Sequence, residues 1–593
     1  MRSPLNKHRR VLVLGEDTCS FLATIRSLGR CGLEVHVAWC PLDAPALQSR
    51  YVKQVHRIPP YCEETSDWIQ AFQHVLRHQQ FDLVLPMTDS AILPFQLHRD
   101  EFEPLARFCL LPDDIYRICS DKVETYKLAE REAAPLPRQC VVRNVEEALK
   151  CARDFGYPVV LKPRQSAVSR NPDVRQVVRK ARNESELLEL AKQMTANQEV
   201  LAQENFIGGG VGVEVLCKDG QILTAFQHER VHEPAMGGGS SYRKSVPLHA
   251  GMYAVTSRLM NALRYTGVAM VEFKQNPTTG QWILIEINSR FWGSLPLSIA
   301  AGLDFPRYLY EMLLEGRTEF PRTYRTGMFS RNWSKDMQWF FANLRADRSN
   351  PLSLSRPLWS VMLEVGNILQ LKERSDTLAL DDPRPVWTDL TQYFSEKVFR
   401  VLKLFKPYRR MEQRRLLRLY RSAKSVIVLC YGNICRSPFA GTLLERLAAN
   451  KVVTSAGTYL KAGRKSPGEA VEAATVFGID LASHCSRVAT AEEMRSIDLI
   501  IVFDRENWLA IRSMCPEIMP RVAYLGAADP NEPLEVADPF SQGIDEFHGC
   551  YRRVQDLVER LANSMPEELP TSISWKRAAR DGVARKDTVE ENP

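Results

Sequence analysis

A chain of 593 residues is too long for one hydrophobic core, so several domains are expected. Its 45% hydrophobic and 25% charged residues are ordinary globular composition, and a net charge of +7 over this length excludes a general nucleic-acid argument. The 14 cysteines form no small-domain framework, which favours a reducing cytoplasm, and no stretch reaches the roughly 18 uninterrupted apolar residues of a spanning helix.

Lys7, His8, Arg9 and Arg10 precede the apolar run Val11–Leu14, which is too short for a signal segment. That run reads as a buried strand, followed by a Gly15 turn and a helix around Cys19–Gly29. Further strands are predicted at Leu33–Ala38 and Phe81–Pro86, the latter ending in a loop with Thr88 and Asp89. Strands alternating with helices predict a parallel α/β sheet. Asp121 and Lys122 open a helix, and Tyr157–Lys162 is a short apolar strand ending in a lysine. More strands are predicted at Glu199–Glu204, Gly212–Cys217, Gly267–Gln275 and Trp282–Ile287. Glu272 sits on one of these, and Glu286 and Asn288 share a face of the next. Together they form an oxygen-rich set suited to Mg²⁺ bridging nucleotide phosphates, with Lys162 neutralising phosphate charge. Met236–Ser241, near Arg230, Arg243 and Lys244, reads equally as a substrate loop or a plain connection.

From about Arg322 the composition shifts to Trp, Leu, Arg and Pro, and residues 398–424 are strongly basic. This stretch reads as a solvated interdomain helix, with a patch for anionic lipid or another acidic partner as the sharper reading.

After the apolar run Ser425–Leu429 comes the loop Cys430, Tyr431, Gly432, Asn433, Ile434, Cys435, Arg436, Ser437. Inward-facing amides and a helix N-terminus suit it to one phosphate dianion. Arg436 can grip two oxygens, and in that field Cys430 is expected to be a nucleophilic thiolate. Asp538, before Pro539 and Phe540, is placed to protonate a leaving oxygen and then to activate water. Phe540 reads as a cleft wall, with Tyr459, beside Lys461, as a second candidate.

Residues from about Ser425 to Ala562 resemble the low-molecular-weight protein tyrosine phosphatases. The resemblance rests on this loop with Pro438, on Ser455–Gly457, Gly478–Asp480, His484, Arg487, Asp498–Ile500, Asp504 with Asn507, and Asp538–Pro539. It implies Cys430 as nucleophile, Arg436 as transition-state clamp and Asp538 as general acid. Asn433 and Ser437 would shape the loop, and Cys435 would protect Cys430 as a reversible disulfide. It implies a phosphorylated protein or small phosphomonoester as substrate, and no cofactor. A related arsenate-reducing fold keeps a second reading open through Cys485 or Cys515.

Residues from about 8 to 320 resemble the ATP-grasp superfamily, including carbamoyl-phosphate-synthase-like and carboxylate–amine ligases. The carriers are Asp121–Lys122, Tyr157–Pro163, Gln203–Ile207 and Glu286–Gly293. The resemblance implies Lys122 and Lys162 at the nucleotide phosphates. It places Gln203, Glu204 and Ile207 in the nucleotide site, with Glu204 and Ile207 at the adenine and hinge, and Glu214 at the ribose. Glu272, Glu286 and Asn288 would bind Mg²⁺ or Mn²⁺, and Arg290 would steady the phosphoryl group or the acid. ATP would phosphorylate a small carboxylic acid, and an amine would attack the acyl phosphate. The segment Gln165–Asn171 is poorer in glycine than is common in that family's phosphate-covering loop.

The expected organisation is an α/β multidomain chain. It comprises a Rossmann-like pre-ATP-grasp domain (1–115), an α+β ATP-grasp domain (116–320), a helical basic linker (321–423), a parallel-sheet α/β phosphatase domain (424–565) and a disordered tail (566–593). A bifunctional cytoplasmic enzyme is expected; a nucleotide-binding module gating the phosphatase is the alternative.

Overall fold

Short apolar runs bounded by turns build the first sheet. β1 (Arg10–Leu14), β2 (Glu34–Ala38), β3 (Val52–Val55) and β4 (Leu83–Pro86) pair in parallel, in the order β3-β2-β1-β4. Val11 and Val13 enter one core while Leu12 and Leu14 enter another, as a parallel sheet covered on both faces requires. The structure, a computed structural model, describes residues 9–564 except 60, 62–65, 166–177, 197, 235–238, 347–354 and 449. The expected disordered tail, most of Gln165–Asn171 and the first half of the 236–241 loop lie outside the described residues.

Two antiparallel-rich sheets follow. β5 (Gln139–Val142), β6 (Val159–Pro163), β7 (Arg179–Ala181) and β8 (Val200–Glu204) form a small sheet in the order β5-β8-β6-β7. The large sheet contains β9 (Gly209–Lys218), β10 (Gln221–His232), β11 (Tyr242–Ser245), β12 (Gly267–Gln275), β13 (Trp282–Asn288), β14 (Phe329–Arg331) and β15 (Glu373–Ser375). Its order is β13-β12-β9-β10-β11-β14-β15. Leu216, Phe226 and Met270 from this sheet share a core with Val11 and Val13 and with Phe21, Ile25 and Leu309 of two helices, which fixes the first sheet against it. β10 is a twelve-residue strand that the sequence reading missed. Its polar residues Gln227, His228, Glu229 and Arg230 hide the alternation. The Asp219-Gly220 pair, with φ of 50° and 86°, was the available signal for the β9–β10 hairpin.

Four parallel strands make the last sheet: β16 (Ser425–Cys430), β17 (Val452–Gly457), β18 (Leu499–Val502) and β19 (Val522–Tyr524), in the order β17-β16-β18-β19.

The expected linker at 321–423 is not a separate element. The chain divides into two units, Met1–Leu402 and Lys403–Pro593. Residues 329–331 and 373–375 extend the large sheet as β14 and β15. Buried ion pairs bolt this stretch to the first unit: Arg243 to Asp376 at 2.7 Å and Arg26 to Asp382 at 2.9 Å. The basic helix Lys406–Ser422 belongs to the second unit and is not merely solvated. Leu416 and Tyr420 are fully buried, and Arg409, Arg415 and Arg421 donate to the carbonyls of Glu532, Met519 and Ser564. Composition misled here because arginines that cap carbonyls look the same in sequence as arginines in water.

Cys140 and Cys151 are disulfide-bonded, against the reducing cytoplasm that the cysteine pattern favours; Cys430 and Cys435 are free. No helix among the described residues is long and apolar enough to cross a membrane.

Candidate active sites

In the second unit, β16 ends on Cys430 and a helix begins at Arg436, and the intervening loop turns the Asn433 amide toward the Cys430 sulfur. Asn433 adopts φ of 52°, a left-handed conformation that asparagine tolerates better than most residues. Its side chain braces the loop. Nδ2 donates to Ser437 Oγ at 2.9 Å and to Ser455 Oγ at 3.1 Å, and Oδ1 accepts from Arg487 N at 2.9 Å. His484 Nε2 donates to Asn433 O at 2.8 Å. Gly457 is glycine for a steric reason: a Cβ there would lie 2.7 Å from Tyr431 O and 3.0 Å from Asn433 N.

Cys430 Sγ accepts from Asn433 N at 3.2 Å and lies 3.0 Å from Ser437 Oγ. Arg436 is buried, with Nη1 donating to Asp504 Oδ2 at 2.6 Å and to Val536 O at 2.9 Å. Its Nη2 donates to Asp538 Oδ2 at 2.5 Å. Burial alone would lower the Arg436 pKa, but Asp538, Asp504 and Cys430 outweigh it and hold the guanidinium charged. Asp504 does two tasks, since its other oxygen caps the helix Arg505–Met514 by accepting from Asn507 N at 2.8 Å. Burial pushes Cys435 well up and Cys550 up to about 12, so both stay protonated beside the loop.

The mouth is aromatic and cationic. Tyr431 and Tyr459 pack at 5.2 Å, and Phe540 is exposed beside Asp538. Arg464 lies 4.3 Å from the Tyr459 ring centre and donates to Gly432 O at 2.5 Å. Sequence reasoning missed Arg464, because nothing local marks an arginine that reaches back 32 residues. Cys515 is fully buried and Cys485 is exposed.

In the first unit, β12 and β13 place Glu272 directly opposite Glu286, with a register shift just after Glu272. Asn288 Nδ2 donates to Glu286 Oε1 at 3.0 Å. Arg290 donates to Asn288 Oδ1 at 3.1 Å and to Asp89 Oδ1 at 2.9 Å. Arg230, on β10, donates to Glu272 Oε2 at 2.7 Å. Burial raises the Glu272 pKa, Arg230 opposes that, and Glu286 adds to it. Lys122 follows the helix cap Asp121, and Lys162 on β6 reaches the Tyr126 hydroxyl at 3.4 Å. Burial lowers the pKa of both lysines, and Glu286 pulls both back up. A cavity of 80 Å³ is lined by Asp89, Lys122, Glu286 and Asn288 among others. Asp89 and Arg230 were not anticipated; only the position of Asp89 at a strand end hinted at it.

The expected nucleotide residues divide. Gln203 is buried and donates to Gln139 Oε1 at 2.8 Å. Glu204 pairs with Arg138 at 2.8 Å, and Ile207 is exposed. Glu214 is fully buried, with Oε1 accepting from Ser294 Oγ at 2.5 Å and lying 2.8 Å from His228 Nδ1. Its carboxylate is therefore enclosed between strands, contrary to the expected ribose contact.

Residues 425–571 match the family model of low molecular weight phosphotyrosine protein phosphatase. Residues 117–229 match an ATP-grasp domain model, and 196–335 match the model described as ATP-grasp in the biosynthetic pathway with Ter operon. Among curated proteins, the chain is 31% identical over 144 residues to the low molecular weight protein-tyrosine-phosphatase Wzb of Salmonella typhi, covering 24% of this chain and 93% of that one. Among solved structures, the Erwinia amylovora tyrosine phosphatase AmsI aligns at 26% identity and a TM-score of 0.23, over 24% of this chain and 93% of that one. The biotin carboxylase domain of Hydrogenobacter thermophilus 2-oxoglutarate carboxylase aligns at 16% identity and a TM-score of 0.44, over 54% and 73%. Through its second unit the chain belongs to the low molecular weight protein tyrosine phosphatase family, and its first unit carries ATP-grasp domains.

Proposed function

We propose that the chain is a bifunctional enzyme, a protein phosphotyrosine phosphatase joined to an ATP-dependent carboxylate–amine ligase. The observation that carries the first half is the Cys430–Ser437 loop, with its sulfur on an amide and a hydroxyl and its arginine held by two carboxylates. Cys430 Sγ attacks phosphorus, the phosphoryl group passes to sulfur, and the leaving oxygen takes a proton from Asp538. Asp538 is placed for that task by its contact with Arg436, whose other guanidinium nitrogen is held by Asp504. After the leaving group departs, Asp538 takes a proton from the water that attacks the phosphocysteine. The aromatic mouth suits an aryl phosphate.

The second half rests on Glu272 facing Glu286 among Lys122, Lys162, Arg230 and Arg290. Two carboxylates and an amide oxygen are the hard donors Mg²⁺ or Mn²⁺ prefers, so Glu272, Glu286 and Asn288 fit the metal that ATP-grasp chemistry uses. Bound there, the ion supplies charge neutralisation for nucleotide phosphates. The lysines and Arg290 hold and orient the transferred phosphoryl group.

Hydrolysis of p-nitrophenyl phosphate tests the first half. Cys430→Ser should lose roughly 10⁴-fold or more, and acid-quenched wild type should carry a phosphoryl group on Cys430. Undiminished activity in Cys430→Ser ends the phosphatase reading. For the ligase, ADP release across a panel of acids and amines is compared with Glu286→Ala. Nucleotide binding without ADP release from any pair would replace the ligase with a nucleotide-binding module.

A further inference from the structure

The stretch Arg356–Leu371 is turned inside out. Its polar residues face the protein. Glu364 is buried among Arg331 at 2.9 Å, His232 at 2.9 Å and Arg356 at 3.3 Å. Asn367 Nδ2 donates to the Tyr242 hydroxyl at 2.9 Å, and Arg356 N donates to Asn343 Oδ1 at 2.8 Å. The apolar residues face away from the core. Trp359, Met362 and Leu363 are 69%, 68% and 69% exposed, and Leu369 and Leu371 are 78% and 74% exposed. Leu358, Val365 and Ile368 are exposed beside them. The helices Leu358–Leu363 and Val365–Leu369 bury no residue of their own. An apolar surface of this size, fastened from below by charged and amide groups, is costly in water and marks an interaction face.

Charge selects the occupant. From Ser355 to Leu380 every acid is held inside: Glu364 as above, Glu373 by Arg331 and Tyr242, and Asp376 by Arg243 and Ser330. The exposed charges of the same stretch are Lys372 and Arg374. Leucine, methionine and tryptophan side chains bordered by cations are the make-up of an element that lies in a lipid headgroup layer. We propose that Leu358–Leu371, with Lys372 and Arg374, docks on the surface of an anionic phospholipid bilayer, lying in its plane. These residues are a different stretch of chain from 398–424, which the sequence offered as a patch for anionic lipid or another acidic partner. It rests on neither catalytic reading.

The test sediments the full chain with vesicles of phosphatidylcholine alone or mixed with phosphatidylserine. Wild type should pellet with the mixed vesicles, and less so as salt is raised. The triple variant Trp359→Ser, Leu363→Ser, Leu369→Ser should lower the bound fraction by roughly tenfold or more. Lys372→Glu with Arg374→Glu should remove the preference for phosphatidylserine. Circular dichroism melting matched to wild type certifies that each variant is folded. Wild type remaining in the supernatant with both vesicles overturns the proposal, as does full binding by the folded triple variant. A doubled mass by light scattering that the triple variant abolishes also overturns it, because a second copy then covers the face.

Discussion

The proposed phosphatase site would take its nucleophile, amides and guanidinium from eight consecutive residues, Cys430–Ser437, with Asp504 and Asp538 added from elsewhere in the unit. The proposed nucleotide site would draw on Asp89, Lys122, Lys162, Arg230, Glu272, Glu286 and Arg290, spread over some two hundred residues of chain. The contrast separates two ways of holding charge. In the loop, one buried arginine is fixed by two carboxylates, and each of the three contacts is individually strong. Across the sheets, four cations and three carboxylates share one field. No pair defines the site, and strand register sets only the part of it that Arg230, Glu272 and Glu286 make.

Variants can break this comparison, beginning with the greatest effect. Asp538→Ala should lower p-nitrophenyl phosphate turnover by roughly 10²–10⁴-fold, the usual worth of a general acid. A loss below tenfold would show that the loop turns over this substrate without Asp538 as its acid. Glu286→Gln keeps shape but removes the carboxylate facing Glu272. ADP release should fall about a hundredfold, while the phosphatase rate, measured in the same tube, stays level. A matching fall in both would mean that the two sites are energetically coupled.

Asn433→Ala should destabilise the second unit by about 1–3 kcal/mol in urea melts, through a left-handed alanine and the loss of three side-chain bonds. Asn433→Gly removes the same bonds without the conformational penalty, so the difference between the variants isolates the backbone contribution. The smallest effect concerns the first unit. His36 and His56 share a buried 2.9 Å contact, and burial, aided by the His56 charge, lowers the His36 pKa from 6.5 to about 4. Between those values the unfolded chain binds a proton that the folded chain refuses. The unit should therefore lose about 1–2 kcal/mol as pH falls through that window and be insensitive above it. His36→Asn should flatten the slope of melting temperature against pH.

Legibility followed the same divide. The loop could be read because its chemistry is contiguous and its supports, Ser455–Gly457 and Asp504, lie in short recognisable runs. β1, β2 and β12 could be read because apolar alternation and turns delimit them. Arg230 and Asp89 could not, since their significance arises only when Arg230 on β10 reaches Glu272 on β12 and Asp89, beyond β4, meets Arg290, beyond β13. Glu214 was misplaced because its strand faces a neighbouring histidine and serine that no spacing reveals. The stretch after Arg322 was misread because a β-strand of three residues gives no periodic signal, and β14 and β15 are both that short.

The late return of the chain into the large sheet has a practical corollary. A protein cut before Arg322, inside the matched ATP-grasp region, would lose β14 and β15 and leave the backbone of β11 unpaired along its outer side. It would also strip Arg243 of Asp376, its ion-pair partner at 2.7 Å. Such a fragment should precipitate or self-associate during purification, whereas one ending at Leu402 should remain dispersed.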